Sequence, residues 1–357
     1  IKIHQCNLRH KPSVAAMLHS RQQYSTFVVI AAKKRQVLGN SPSEMRRAFL
    51  DKRSIVEWRG YIPAITTPFA ADGAIDFGGL ATLLDWLHGE GMHGLVVAGT
   101  TGEWTSMSDA ERCSVFAAVG DQLSGKLPLL AGCSAFTAER VIAMATEAHK
   151  AGFSGILVTP PPYICPSSTE ISNFYRSVAK GSPLPVCIYN WPPGTGIDCE
   201  LDLLERLTDI DNIIAVKQST SRLDRFVATF FALREKVLVF GHAMDEHGLA
   251  LLEARGGDGT MGAGGVLGRY QPDFYNHLGA GEIEKARQCG RMDRVLMKEW
   301  YTPDLVGKFG SGPAILKAAL DARGLPGGHV RAPLLDICEE DREKVRRTLD
   351  ELGCLSV

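Results

Sequence analysis

Long apolar runs are absent from this chain of 357 residues: no stretch of 18 consecutive apolar residues occurs, so no segment reads as a membrane-spanning helix. A dominant charge is absent as well. The formal net charge is −1, which argues against a nucleic-acid or membrane-surface partner for the whole protein. Nine cysteines are scattered without a Cys-x-x-Cys pair, and their number is odd. That pattern fits reduced thiols in the cytoplasm better than a disulfide framework or a zinc site. Gly-x-Ser-x-Gly does not occur, which removes the nucleophile-elbow hydrolases. No internal repeat or low-complexity stretch stands out. One further absence is local: residues 1–59 hold twelve Lys/Arg against three Asp/Glu, with no acidic residue before Glu44. Basic, Ser-containing and acid-poor is the composition of an organelle transit peptide. A structured extension, or sequence upstream of a start at Met45, gives the same composition, so cytoplasmic location stays the expectation and organelle targeting the alternative.

What is present is a sizeable apolar fraction, 45% against 22% charged, enough for a large core. From Tyr61 onward, short β-branched runs alternate with amphipathic segments, as βα units around a parallel sheet do. Strands are expected at 61–66, 94–98, 127–131, 155–159, 186–189, 213–217, 237–240 and 259–261. Helix-length stretches at 77–91, 108–123, 138–152, 168–181, 201–209, 221–235 and 246–255 separate them. Ser108 with Glu111 three residues on reads as a capping box. Eight such strands make a closed α/β barrel of the (β/α)8 TIM type, where an open doubly wound sheet usually stops near five or six. The expected organisation is a basic N-terminal extension over 1–59, the barrel over 60–280, and a C-terminal helical appendage over 281–357, with helices near 283–299 and 312–323.

In such a barrel the active site lies at the C-terminal ends of the strands. Lys217 closes the apolar run Ile213-Ile214-Ala215-Val216, placing an amine where a strand opens onto that face. Desolvation lowers a lysine pKa, and a neutral amine can attack a carbonyl to form a Schiff base. A lysine snorkelling to solvent, or one paired with a carboxylate, would look the same in sequence. Tyr189 ends the preceding strand and can relay protons as a phenol, or serve as an ordinary rim aromatic. Gly99-Thr100-Thr101-Gly102-Glu103 follows the second strand. Its glycines permit a tight turn in which adjacent N–H groups and the Thr100 and Thr101 hydroxyls converge on a carboxylate, although a plain βα turn is equally compatible.

The order Gly-Thr-Thr-Gly-Glu, Tyr189-Asn190-x-Pro192, and Val216-Lys217 at the end of strand six resembles the dihydrodipicolinate synthase/N-acetylneuraminate lyase superfamily. The resemblance covers roughly residues 58–320, including Thr67-Pro68-Phe69 and Thr159-Pro160. It implies a homotetrameric barrel lyase, a class I aldolase acting on pyruvate or another small 2-oxo acid, with no cofactor and no metal. It assigns Lys217 as the Schiff-base lysine, Tyr189 as the proton relay, Thr100 and Thr101 as holders of the substrate carboxylate, and Gly241 and Met261 as pocket-lining positions. Two departures bear on substrate. Gly194 stands where the synthases usually carry an arginine for the second substrate's carboxylate, and Pro161-Pro162 replace a tyrosine pair. The resemblance therefore implies an aldolase or dehydratase for 2-oxo-3-deoxy sugar acids or 4-hydroxy-2-oxo acids, with dihydrodipicolinate synthase itself as the alternative.

Two weaker signals remain. Gly262-Ala263-Gly264-Gly265-Val266-Leu267-Gly268 could cradle a phosphate, or could mark close backbone packing at the rim. The loop from His242 to His247 holds metal-capable residues at no standard zinc spacing, so a capped helix start at Asp245 or Glu246 is expected there. Together they leave a metal-dependent or phosphate-binding barrel enzyme as a second alternative.

Overall fold

A computed structural model describes residues 52–355. The targeting reading of the N-terminal segment, apart from residues 52–59, lies outside the described residues.

The chain forms eight parallel strands: β1 (Gly60–Tyr61), β2 (Leu95–Val97), β3 (Leu129–Gly132), β4 (Gly155–Val158), β5 (Val186–Asn190), β6 (Ile213–Gln218), β7 (Leu238–Phe240) and β8 (Gly259–Thr260). They run in the order β1-β8-β7-β6-β5-β4-β3-β2. A parallel bridge between Ala64 and Val96 joins the two ends of that sheet. Past β1 the chain stays extended and alternates its partners. Ile62 and Ala64 donate to Thr260 and Gly262 on one side, while Ile65 donates to Val96 and Pro63 accepts from it on the other. Pro63 lacks an N–H but still offers its carbonyl, so it costs the closure nothing. The fold is the expected (β/α)8 barrel.

Helices α1 (Phe77–Gly89), α2 (Asp109–Leu123), α3 (Ala138–Lys150), α4 (Ser168–Gly181), α5 (Pro192–Thr195), α6 (Leu201–Thr208), α7 (Leu223–Leu233) and α8 (Glu246–Arg255) lie between the strands. Their starts follow local chemistry. Ser108 and Ser167 close capping boxes with Glu111 and Glu170, and Thr137 accepts from the Arg140 N–H. The tail adds α9 (Tyr270–Gly279), α10 (Ile283–Trp300), α11 (Gly312–Ala322) and α12 (Glu339–Glu351), packed on the barrel. Of these, α10 and α11 follow the pattern expected from sequence; α9 and α12 are additional.

Strand alternation divides the core in two. One layer fills the space between strands and helices. The other fills the lumen, with Ile62, Val96, Leu130, Leu157, Ala215 and Leu238 all at 2% exposure or less. Trp58 lies fully buried with this inner set, its indole N–H donating to Ser154 Oγ at 3.0 Å. Gly155 has to be glycine beneath it, since a Cβ there would come within 2.1 Å of the Trp58 ring. Arg53 grips Asp258 with both guanidinium nitrogens, at 2.7 and 3.1 Å, and also reaches the carbonyls of Arg234 and Val237. Among the described residues, no helix is long and apolar enough to cross a membrane.

Candidate active site

Lys217 owes its direction to an irregularity in the sheet. Val186 pairs with Ile213, but Cys187 pairs with Ala215, so Ile214 is an extra residue on β6. Ile214 and Ala215 consequently both belong to the lumen cluster. A bulge of this kind resets which face later side chains take. It turns Lys217 inward together with its register partner Tyr189. The amine sits 4.2 Å from the centroid of the Tyr189 ring.

Lys217 is 6% exposed. Among the described residues no carboxylate lies within ion-pair distance of it. Burial therefore acts almost unopposed and lowers its pKa to about 8. Burial pushes the Tyr189 phenol up to about 12, with hydrogen bonds to Thr100 and Ser219 pulling the other way. The phenol thus stays protonated at neutral pH beside an amine with an accessible neutral form. Ser219 did not figure among the sequence candidates; its signal was its place in the Lys217-Gln218-Ser219-Thr220 strand end. Asn190 fastens this corner. Its amide donates to Asp198 (2.9 Å) and Gln218 (2.8 Å), its side-chain oxygen accepts from the Cys199 N–H, and its backbone carbonyl accepts from the Ser219 N–H.

Across the mouth, the Gly-Thr-Thr-Gly-Glu loop takes the tight shape its glycines permit. A Cβ on Gly102 would meet the Ala98 backbone at 3.0 Å. Thr67 Oγ1 donates to the Gly102 carbonyl. The N–H groups of Thr101 and Gly102 have no acceptor among the described residues, and Thr100 and Thr101 are half-buried. Glu103, at φ 58°, holds the loop from behind. Its carboxylate accepts from Lys317 Nζ of α11 at 2.5 Å and from the Arg331 N–H at 2.9 Å. Both ends of the Glu103–Lys317 pair are almost completely buried, at 0% and 1%. The C-terminal appendage is therefore part of what shapes the barrel face that carries Lys217.

Alternation brings two more groups to the rim, Thr66 beyond Ala64 and Thr159 beyond Leu157. Both hydroxyls are buried and unpartnered among the described residues. Buried polar atoms are rarely left so, and a site awaiting a polar ligand is one cause. Met261 joins the lumen cluster at 4% exposure. Gly241, at φ 127°, lets the end of β7 pass close to β6, where a Cβ would stand 2.3 Å from the Gln218 carbonyl oxygen.

Other sequence candidates fall elsewhere. His242 is buried edge-on against Phe226 and Phe230, while His247 is exposed on α8. Asp245 caps that helix, accepting from the N–H groups of His247 and Gly248. Among the described residues no group of three or more His, Cys, Asp or Glu is placed to hold a metal ion. The glycines after β8 serve close packing, for a Cβ on Gly262 would lie 2.4 Å from the Tyr61 hydroxyl. Arg222, near enough in sequence to lend the site a charge, is 62% exposed at its side chain and paired with Asp224 at 2.7 Å.

A model of the dihydrodipicolinate synthetase family matches residues 57–352. The 4-hydroxy-tetrahydrodipicolinate synthase of Acidothermus cellulolyticus is 34% identical over 294 residues, 82% of this chain and 92% of that one. The enzyme of the same name from Moorella thermoacetica is 31% identical over 301 residues, 84% of this chain and 100% of that one. Among solved structures, a dihydrodipicolinate synthase from Acinetobacter baumannii complexed with pyruvate matches at a TM-score of 0.74 and 27% identity, covering 83% of this chain and 99% of that one.

Proposed function

The chain belongs to the dihydrodipicolinate synthetase family and is a lyase on a (β/α)8 barrel, and from that premise we propose that it forms a Schiff base between Lys217 and pyruvate or a related 2-oxo acid. The observation that carries this reading is a buried lysine with no carboxylate partner among the described residues, 4.2 Å from the ring of a buried tyrosine. The neutral amine attacks the C2 carbonyl. The carbinolamine loses water, the oxygen leaving with the help of a proton from the Tyr189 phenol, and gives the imine. Loss of a proton from C3 then makes an enamine that can bond to an aldehyde carbon, and the reverse sequence cleaves that bond. The N–H groups of Thr101 and Gly102, without an acceptor among the described residues, and the Thr100 and Thr101 hydroxyls suit the substrate carboxylate. A relative complexed with pyruvate supports the same substrate class.

For the second substrate we favour a hydroxylated or neutral aldehyde, which makes the enzyme an aldolase or dehydratase for 2-oxo-3-deoxy sugar acids or 4-hydroxy-2-oxo acids. Gly194 offers no guanidinium for a second carboxylate, and Arg222 is paired away from the site. Condensation with aspartate semialdehyde is the second reading, favoured by the names of the relatives at about 30% identity.

Pyruvate with borohydride should attach one pyruvyl-derived mass per chain, on the peptide that contains Lys217. Lys217→Arg keeps the charge, cannot form the imine and should abolish the label. Labelling that persists in this variant removes Lys217 from the mechanism.

A further inference from the structure

We infer that Trp191 selects the carbonyl partner: its indole makes the partner subsite an apolar shelf that takes a neutral aldehyde by its hydrocarbon face and turns away one bearing a carboxylate. This rests on the reading of Lys217 given above.

The position of the ring follows from the chain around it. Trp191 comes directly after β5, and Pro192 and Pro193 open the short α5, fixing the backbone as it leaves the strand. The Trp191 carbonyl accepts from the Gly194 N–H at 3.1 Å and from the Thr195 hydroxyl at 3.1 Å, so the turn closes back on Trp191. Its indole then lies nearly parallel to the Tyr189 ring, 8° between planes and 6.1 Å between centroids. It packs against the upper edge of the lumen cluster and remains half-buried. The same ring covers Gly194 so closely that a Cβ there would stand 1.9 Å from its Cζ3. No side chain of any kind fits at 194 while the indole keeps this place.

The charges nearby are already committed. Arg225 is held by Asp198 at 3.2 Å and Glu200 at 2.6 Å. Arg222 is held by Asp224. Apart from Lys217 itself, no free cation lies among the described residues on the turns that follow β5 and β6. A carboxylate laid on the indole would lose water without gaining a counter-charge, whereas C–H groups gain by leaving water.

The test uses two aldehydes of equal chain length, butanal and succinic semialdehyde, each with pyruvate and the full chain. The wild type should favour butanal at least tenfold in kcat/KM. Trp191→Phe keeps an apolar plane and should keep the preference. Trp191→Ala should lose it, and Trp191→Ala/Gly194→Arg should reverse it, because the cation then has room and a purpose. Borohydride trapping of pyruvate checks that each variant is folded at Lys217. If the wild type traps no pyruvate at Lys217, the Schiff-base reading fails and this inference with it. If it traps pyruvate yet prefers succinic semialdehyde, condenses neither aldehyde, or keeps its preference in Trp191→Ala, the inference alone is overturned.

Discussion

Among the described residues two lysines are buried, one at the end of β6 and one in α11, and their surroundings make them opposites. Lys217 and Lys317 are 6% and 1% exposed, each faces an aromatic ring, and burial lowers the pKa of both. Lys317, however, donates to Glu103 and to the His329 carbonyl, each at 2.5 Å. Lys217 has a phenol beside it and, among the described residues, no carboxylate. Burial alone thus does not mark a nucleophile. The partner decides: a paired buried lysine stays charged and structural, and an unpaired one is left with a neutral form to use.

Removing each charge in turn sharpens that contrast most. Lys317→Met strands the buried Glu103 carboxylate and should cost about 3–5 kcal/mol in urea unfolding, with Glu103→Gln/Lys317→Met recovering part of it. Lys217→Met should act with the opposite sign. Folding brings this lysine from 10.5 to about 8, so keeping it protonated below pH 8 opposes folding by roughly 3 kcal/mol, a penalty that vanishes above about pH 10.5. The variant should therefore be more stable than the wild type at pH 7 and no different near pH 11. Equal destabilisation by both substitutions would erase the distinction.

His242 extends the contrast to a base with neither partner nor chemistry. Both ring nitrogens are unpartnered among the described residues, and burial lowers its pKa from 6.5 to about 4. It is neutral in the folded protein, so its contribution is intact above pH 6.5 and is lost as the pH falls toward 4, by about 3 kcal/mol in all. His242→Phe should flatten the fall in urea midpoint across that window by a corresponding amount. An unchanged slope would show that the ring is hydrated.

The smallest effect concerns rate. With a pKa of about 8, about one Lys217 amine in ten is neutral at pH 7. Imine formation with pyruvate should rise about tenfold from pH 7 to a plateau above pH 8 to 9. A midpoint near 10.5 would place Lys217 in water and cancel its difference from a surface lysine.

Much of the fold was legible in sequence, because barrel strands buried on both faces read as β-branched runs, and their C-terminal ends point to a candidate site. Lys217, Tyr189 and the Thr100-Thr101 turn meet at one mouth for that reason. The bulge at Ile214 was not legible. Strict alternation from the inward Ile214 would turn Lys217 outward, and only the pairing with β5 shows the reset. Nor could sequence find the partner of Glu103, which lies 214 residues away. Helix α12 escaped because it is mostly charged and buries only Val345, Thr348 and Leu349. Trp191 escaped because its role depends on Gly194 having no side chain to obstruct it.

The stopper at the base of the lumen fixes how far the chain ahead of the barrel can be trimmed. The Lys52 amine sits on the carbonyls of Thr208 and Ile210, Arg53 clamps Asp258, and the Trp58 indole is held by Ser154. A cut after residue 59 removes all three at once. Asp258, 1% exposed at its side chain, would lose both the Arg53 and Arg59 guanidinium groups, and water would enter the space the indole had filled. A protease that matures this protein, or a cloning primer that shortens it, has to stop on the far side of Lys52.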